Sequence, residues 1–126
     1  MKVYEAGRES SILDDILVGD KRVECRLNKS KFALYQIGDR IRLRRDIYRN
    51  GISIVELPSQ AEVEVTKLEN FSSFREMFET IGYESAIPRA ISIDSAIEQC
   101  RIFYSESEEL EHGVRAVHFK LIWPQV

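Results

Sequence analysis

Four residues within one eight-residue stretch have the types and spacing to do chemistry. Gly19, Lys21, Glu24 and Arg26 form the pattern G-x-K-x-x-E-x-R in Gly19-Asp20-Lys21-Arg22-Val23-Glu24-Cys25-Arg26. Arginine offers a planar fork suited to phosphate, and lysine a compact positive charge. A carboxylate flanked by cations stays ionised, so Glu24 can accept hydrogen bonds or act as a general base. In this reading Lys21 and Arg26 hold a phosphate or a polar base edge while Glu24 orients or deprotonates what lies between them. The same residues also admit a plain structural reading. Lys21 just past a helix C-terminus gains up to about 1 kcal/mol from the helix dipole, and Glu24 and Arg26, two apart on one strand face, can form a salt bridge.

No other nucleophile–base set stands out. The chain has no G-x-S-x-G elbow, no H-E-x-x-H and no glycine-rich phosphate loop with its lysine. Cys25 and Cys100 lie far apart without partners at metal-ligand spacing and read as reduced core thiols. His112 and His118 have no Cys or His at zinc spacing nearby, so neither metal nor cofactor is expected.

The elements around the stretch place it at a helix–strand junction. Ser10 or Ser11 can cap a helix carrying Ile12, Leu13, Ile16 and Leu17, and Gly19 is a natural stop. The following strand, residues 21–27, alternates Val23, Cys25 and Leu27 against Arg22, Glu24 and Arg26. One face is expected to pack on the core and the other to present a basic–acidic–basic row. Lys2–Ala6 reads as a first strand, residues 28–35 as a basic, partly aromatic connector, and Arg40–Arg45 as a strand with Ile41 and Leu43 inward. Asn50-Gly51 signals a hairpin, Pro58 is expected to interrupt the returning strand, and Ala61–Leu68 continues it. Helices are expected from Ser73 to Ile81 and from Ser92, the latter burying Ile93, Ile97, Cys100 and Phe103. The acidic run 105–111 reads as a solvated connector, and Val114–Ile122 as a closing strand. The pattern argues for a curved mixed sheet or small barrel carrying helices rather than a doubly wound sheet.

The 126 residues fit a single domain, 1–126, with 44% hydrophobic and 31% charged residues, as in ordinary globular proteins. No apolar run approaches the roughly 20 residues that span a bilayer. The N-terminus lacks the long apolar stretch of a secretory signal, so a cytoplasmic protein without membrane attachment is expected. The net charge of −3 conceals an asymmetry. Residues 20–50 carry ten Lys/Arg against four acids, and residues 51–111 carry four against thirteen. Concentrated positive potential attracts phosphates even on an acidic protein, although the two halves can also pair with one another.

At this point the sequence resembles a known family, the ASCH domain, a relative of the PUA RNA-binding fold. The resemblance rests on Ile16-Leu17-Val18-Gly19-Asp20-Lys21-Arg22-Val23-Glu24-Cys25-Arg26, continued by Leu27–Phe32 and Gly38-Asp39-Arg40-Ile41. Phe71–Met77, Phe103-Tyr104 and Gly113–Val117 extend it over nearly the whole chain, with residues 46–60 as an insertion. It implies an α+β fold, a PUA-like β-barrel of five or six mostly antiparallel strands with about three helices packed around it. It also implies a cleft beside the first helix, lined by the signature residues.

The family is associated with RNA binding, coactivator-like roles and RNA metabolism. The leading expectation is therefore a binding module for RNA, a nucleotide or a modified nucleoside. Lys21, Glu24 and Arg26 would hold the ligand, with Lys29, Lys31, Arg40, Arg42 and Arg44 guiding the backbone and Phe32, Tyr35 or Tyr104 stacking on a base. The alternative is a hydrolase acting on RNA or on an acylated nucleoside such as 4-acetylcytidine, with Lys21 and Glu24 catalytic. The resembling amidohydrolases keep the lysine but carry a threonine nucleophile where this chain has Glu24, so a carboxylate here would activate water by a different mechanism. A third reading is an interaction domain whose acidic half meets protein partners.

Overall fold

In the computed structural model, residues 1–125 are described. They form the chain order β1 (Val3–Glu9), α1 (Ser10–Leu17), β2 (Val23–Leu27), α2 (Ser30–Leu34), β3 (Arg40–Arg49), β4 (Ile52–Phe71), α3 (Phe74–Ile81), α4 (Ile93–Phe103), α5 (Glu106–His112) and β5 (Val114–Trp123). The five strands make one mixed α+β sheet in the order β1-β3-β4-β5-β2. Three pairings are antiparallel, and β1 runs parallel to β3. Edge strands β1 and β2 are joined by side chains, with Arg8 of β1 in contact with Glu24 of β2 at 2.7 Å. The sheet therefore curls into a barrel-like form whose seam is ionic rather than a ladder of backbone bonds. No helix is long and apolar enough to cross a membrane among the described residues.

Alternation along the strands builds two cores. Ala6, Ile41, Leu43, Val63, Val65, Val117 and Phe119 meet Leu13, Ile16 and Tyr35 inside the curl. Val23, Cys25, Leu27, Val114 and Ala116 face the other way and pack on Phe74, Met77 and Phe78 of α3 and on Ala96 and Cys100 of α4. β5 thus supplies one core with its odd-numbered residues and the other with its even-numbered ones, as the two-residue strand period requires. β2, lying between both cores, is covered on both faces. This corrects the expectation of a solvent-facing charged row, since Glu24 is as buried as Val23.

Local details differ from expectation for identifiable reasons. The cap of α1 is Glu9, whose carboxylate accepts from the backbone N–H of Ser11 and Ile12, and not Ser10 or Ser11. Residues 28–35 contain the short helix α2, and the acidic run is a helix, α5, closed by a capping box between Ser105 and Glu108. Its Glu109 is buried because it accepts from the Phe74 N–H and from Arg101. Pro58 does not interrupt β4. It sits where the register slips between Leu43 opposite Ala61 and Arg45 opposite Leu57, an irregularity that accommodates its missing N–H.

Gly7 of β1 lies opposite Arg44 of β3. A Cβ there would overlap the Asp46 carboxylate and the Arg44 guanidinium. Asp46 is buried and held by Arg44 at 2.6 and 3.1 Å, so it cannot swing away without losing that pair. Gly7→Ala should lower the unfolding free energy by about 1–3 kcal/mol. Urea denaturation should show this as a lower midpoint at unchanged slope.

Candidate functional site

The signature residues converge on a single cleft of about 140 Å³. Ile12 and Asp15 of α1 form one wall, and Ala86, Ile87, Pro88 and Arg89 of the loop between α3 and α4 another. Cys100, Phe103 and Tyr104, at the end of α4, close the third side over a floor of Lys21, Glu24, Cys25 and Arg26. The chain reaches Lys21 because α1 ends at Val18 and Gly19 turns with φ of +85°, in the left-handed region glycine favours.

Glu24 is the centre of the cluster. Its Oε1 accepts from Arg8 Nε at 2.7 Å, while its Oε2 lies 3.4 Å from Arg26 Nη2 and 3.7 Å from Lys21 Nζ. Burial by itself would raise the Glu24 carboxyl. Arg8, then Lys21 and Arg26, outweigh it and hold the group well below the usual carboxylate range. Three cations around one carboxylate leave a local surplus of positive charge.

The cations are held in different ways. Lys21 donates to the backbone carbonyls of Val23 and Ala86, which ties the loop over the cleft to β2. An ammonium has three donors, and the third faces Glu24 at 3.7 Å. Arg26 donates to the Tyr104 hydroxyl at 3.1 Å and lies over the Phe32 ring, 5.3 Å from its centroid. Its Nε is buried without a partner. Lys31 approaches the same ring at 5.9 Å.

Of the residues singled out from the sequence, Lys21, Glu24, Arg26 and Tyr104 line the cleft, and Phe32 and Lys31 adjoin it through Arg26. Lys29 pairs with Glu108 at 3.7 Å. Arg40 and Arg42 do not reach the cleft. They stand on β3 opposite Glu64 and Glu62 and pair with those residues. Arg44 is likewise occupied by Asp46. Tyr35 is buried in the barrel-like core against Tyr4 and Phe32, out of reach of a stacking base.

Three residues, Phe103 and Arg89 at the cleft and Arg8 behind its floor, escaped the sequence reading. Arg8 shares the inward face of β1 with Ala6, a spacing that could have flagged it as a buried cation in need of a carboxylate. Phe103 is expected in the core stripe of α4, yet it is 73% exposed at the cleft rim. The helix ends there, and Tyr104 turns inward in its place to stack on Phe74. Arg89 caps the opposite rim through a fork onto Asp15 at 3.0 and 3.2 Å.

Solved structures share this arrangement of elements. The chain superposes on the crystal structure of hypothetical protein PH0355 with a TM-score of 0.78 and 30% identity, covering 97% of this chain and all of that one. Protein PF0455 from Pyrococcus furiosus, solved by NMR, gives a TM-score of 0.77 at 29% identity over 98% and 99% of the two chains. The ASCH domain from Lactobacillus crispatus gives 0.56 at 20% identity over 95% and 78%. No family profile and no curated protein matches the chain. The fold is that of an ASCH domain. Within it, the chain belongs to one family with hypothetical protein PH0355.

The buried cluster has a defined pH signature. In the unfolded chain Glu24 takes up its proton near pH 4.5, and in the folded chain only well below that. Between the two values the unfolded state binds more protons, so stability falls as pH falls below about 4.5. Glu24→Gln should flatten this acid limb in thermal melts. At neutral pH it should cost about 3–5 kcal/mol, because three cations lose their buried counter-charge.

Proposed function

We propose that the cleft binds RNA, a nucleotide or a modified nucleoside through an anionic or polar edge of the ligand. The observation that carries this reading is the surplus of positive charge around Glu24, whose carboxylate meets Lys21 and Arg26 on the cleft floor and Arg8 behind it. Such a surplus favours a phosphate or a carbonyl-rich base edge. The third N–H of Lys21 and the outer edge of the Arg26 guanidinium are the donors. Glu24 holds both in place, and Phe103 at the rim offers an exposed ring for stacking. The ASCH fold is consistent with a role in RNA metabolism.

The hydrolytic alternative gains no support from the electrostatics. A general base works best when its pKa lies near the working pH. Glu24 is held well below that by Arg8, Lys21 and Arg26. Its oxygens are directed at cations rather than at a water-sized space beside a nucleophile.

Fluorescence anisotropy with a labelled single-stranded RNA oligomer tests the binding reading. Affinity should fall with rising salt, with a log–log slope of roughly −0.7 for each phosphate neutralised. Arg26→Ala should weaken binding by roughly tenfold and reduce the magnitude of that slope by about 0.7, while circular dichroism confirms that the variant is folded. No binding at low salt, or an Arg26→Ala variant that binds as the wild type does, would sink the reading.

A further inference from the structure

The floor of the cleft holds a second chemical feature that ligand binding does not use. Cys25 and Cys100, 75 positions apart in the chain, are brought together by the packing of α4 on β2. Both are free and buried, both belong to the same apolar cluster, and both line the cleft. Each thiol has the other as its foremost polar neighbour. Cys25 stands between Glu24 and Arg26 in the chain and beside Lys21 at the cleft floor, whereas Cys100 is surrounded by Ala96 and the aromatic residues of the second core.

We propose that Cys25 and Cys100 are an oxidisable pair, with Cys25 the site attacked by a hydroperoxide and Cys100 the thiol that resolves it into a disulfide. The environment separates the two roles. The contact with Cys100, opposed by burial and assisted by Lys21 and Arg26, lowers Cys25 and favours its thiolate. The same contact, together with burial, pushes Cys100 up, which keeps it a protonated donor.

The chemistry balances without any group outside the pair and the peroxide. The Cys25 thiolate attacks one peroxide oxygen, the O–O bond breaks, and hydroxide leaves to take up a proton as water. Cys25 is then a sulfenic acid, oxidised by two electrons. Cys100 sulfur next attacks the Cys25 sulfur, the S–O bond breaks, and the departing hydroxide takes the Cys100 proton as a second water. Two thiols have lost two electrons and two protons in total, and one hydroperoxide has been reduced. The product bond staples the α4 wall of the cleft to its β2 floor, four residues before Tyr104 and one before Arg26. The inference stands apart from the ligand reading, because neither thiol is needed to hold a ligand.

The test is intact-mass spectrometry on the folded full-length chain after treatment with hydrogen peroxide, followed by alkylation with N-ethylmaleimide in denaturant. Wild type should become lighter by two hydrogens, take up no maleimide, and regain both thiols with dithiothreitol. Cys100→Ser should stop one oxygen heavier, in a form that dimedone captures. Cys25→Ser should keep its remaining thiol alkylatable at the same peroxide dose. Wild type that still takes up two maleimides would overturn the proposal. So would a Cys25→Ser variant oxidised as fast as Cys100→Ser, since that would remove the distinction between the two thiols.

Discussion

The structure depends on one buried carboxylate. Glu24 lies on the inward face of an edge strand, and its ionised form survives there only because cations from two strands and a turn reach it. Each of those cations has a second task. Arg8 brings the edge of β1 to the edge of β2 and donates to the Gly7 carbonyl. Lys21 fastens the loop at Ala86. Arg26 reaches Tyr104, which in turn stacks on Phe74 in the second core. The seam of the barrel, the loop over the cleft and the end of α4 are thus referred to a single charge. Coulomb repulsion among Arg8, Lys21 and Arg26 would drive these same elements apart without it.

Much of this was legible in the chain, and the parts that were not share a cause. Strand alternation and the stop at Gly19 located β2 and the cleft floor because both are local signals, of period two and of backbone conformation. The family resemblance supplied the fold. What sequence could not convey was which faces are covered. Alternation in β2 implies one solvated face, yet α3 and α4 cover one side and the curl of the sheet covers the other, so Glu24 is interior. Arg8 went unread for the same reason, because its partner lies sixteen residues away on a strand it never hydrogen-bonds through the backbone. Phe103 was placed in the core by helical period, but the period says nothing about where a helix ends. Here the last turn hands the inward position to Tyr104.

The charge asymmetry of the sequence has a similar resolution. Part of the basic half and part of the acidic half are adjacent strands of one antiparallel pair, so Arg40 faces Glu64 and Arg42 faces Glu62 across β3 and β4. These exposed pairs contribute little to stability, but they cancel the field that a basic stripe would otherwise project. Positive charge stays in excess at the cleft, where Arg8, Lys21 and Arg26 share the one Glu24 carboxylate and Lys31 joins Arg26 at the Phe32 ring. Separation along the chain therefore overstated the extent of the basic surface and understated its concentration.

The same concentration decides what chemistry the floor can do. Cations stabilise any anion beside them, and two acids share this field. For Glu24 the effect removes basicity, since a carboxylate held far below neutrality has little tendency to take a proton from water. For Cys25 the contact with Cys100 comes first, and Lys21 and Arg26 add to it against burial and Glu24, so the thiol is lowered and its nucleophilic form favoured. The same cations thus fix the carboxylate as a structural charge and add to the lowering of the neighbouring thiol.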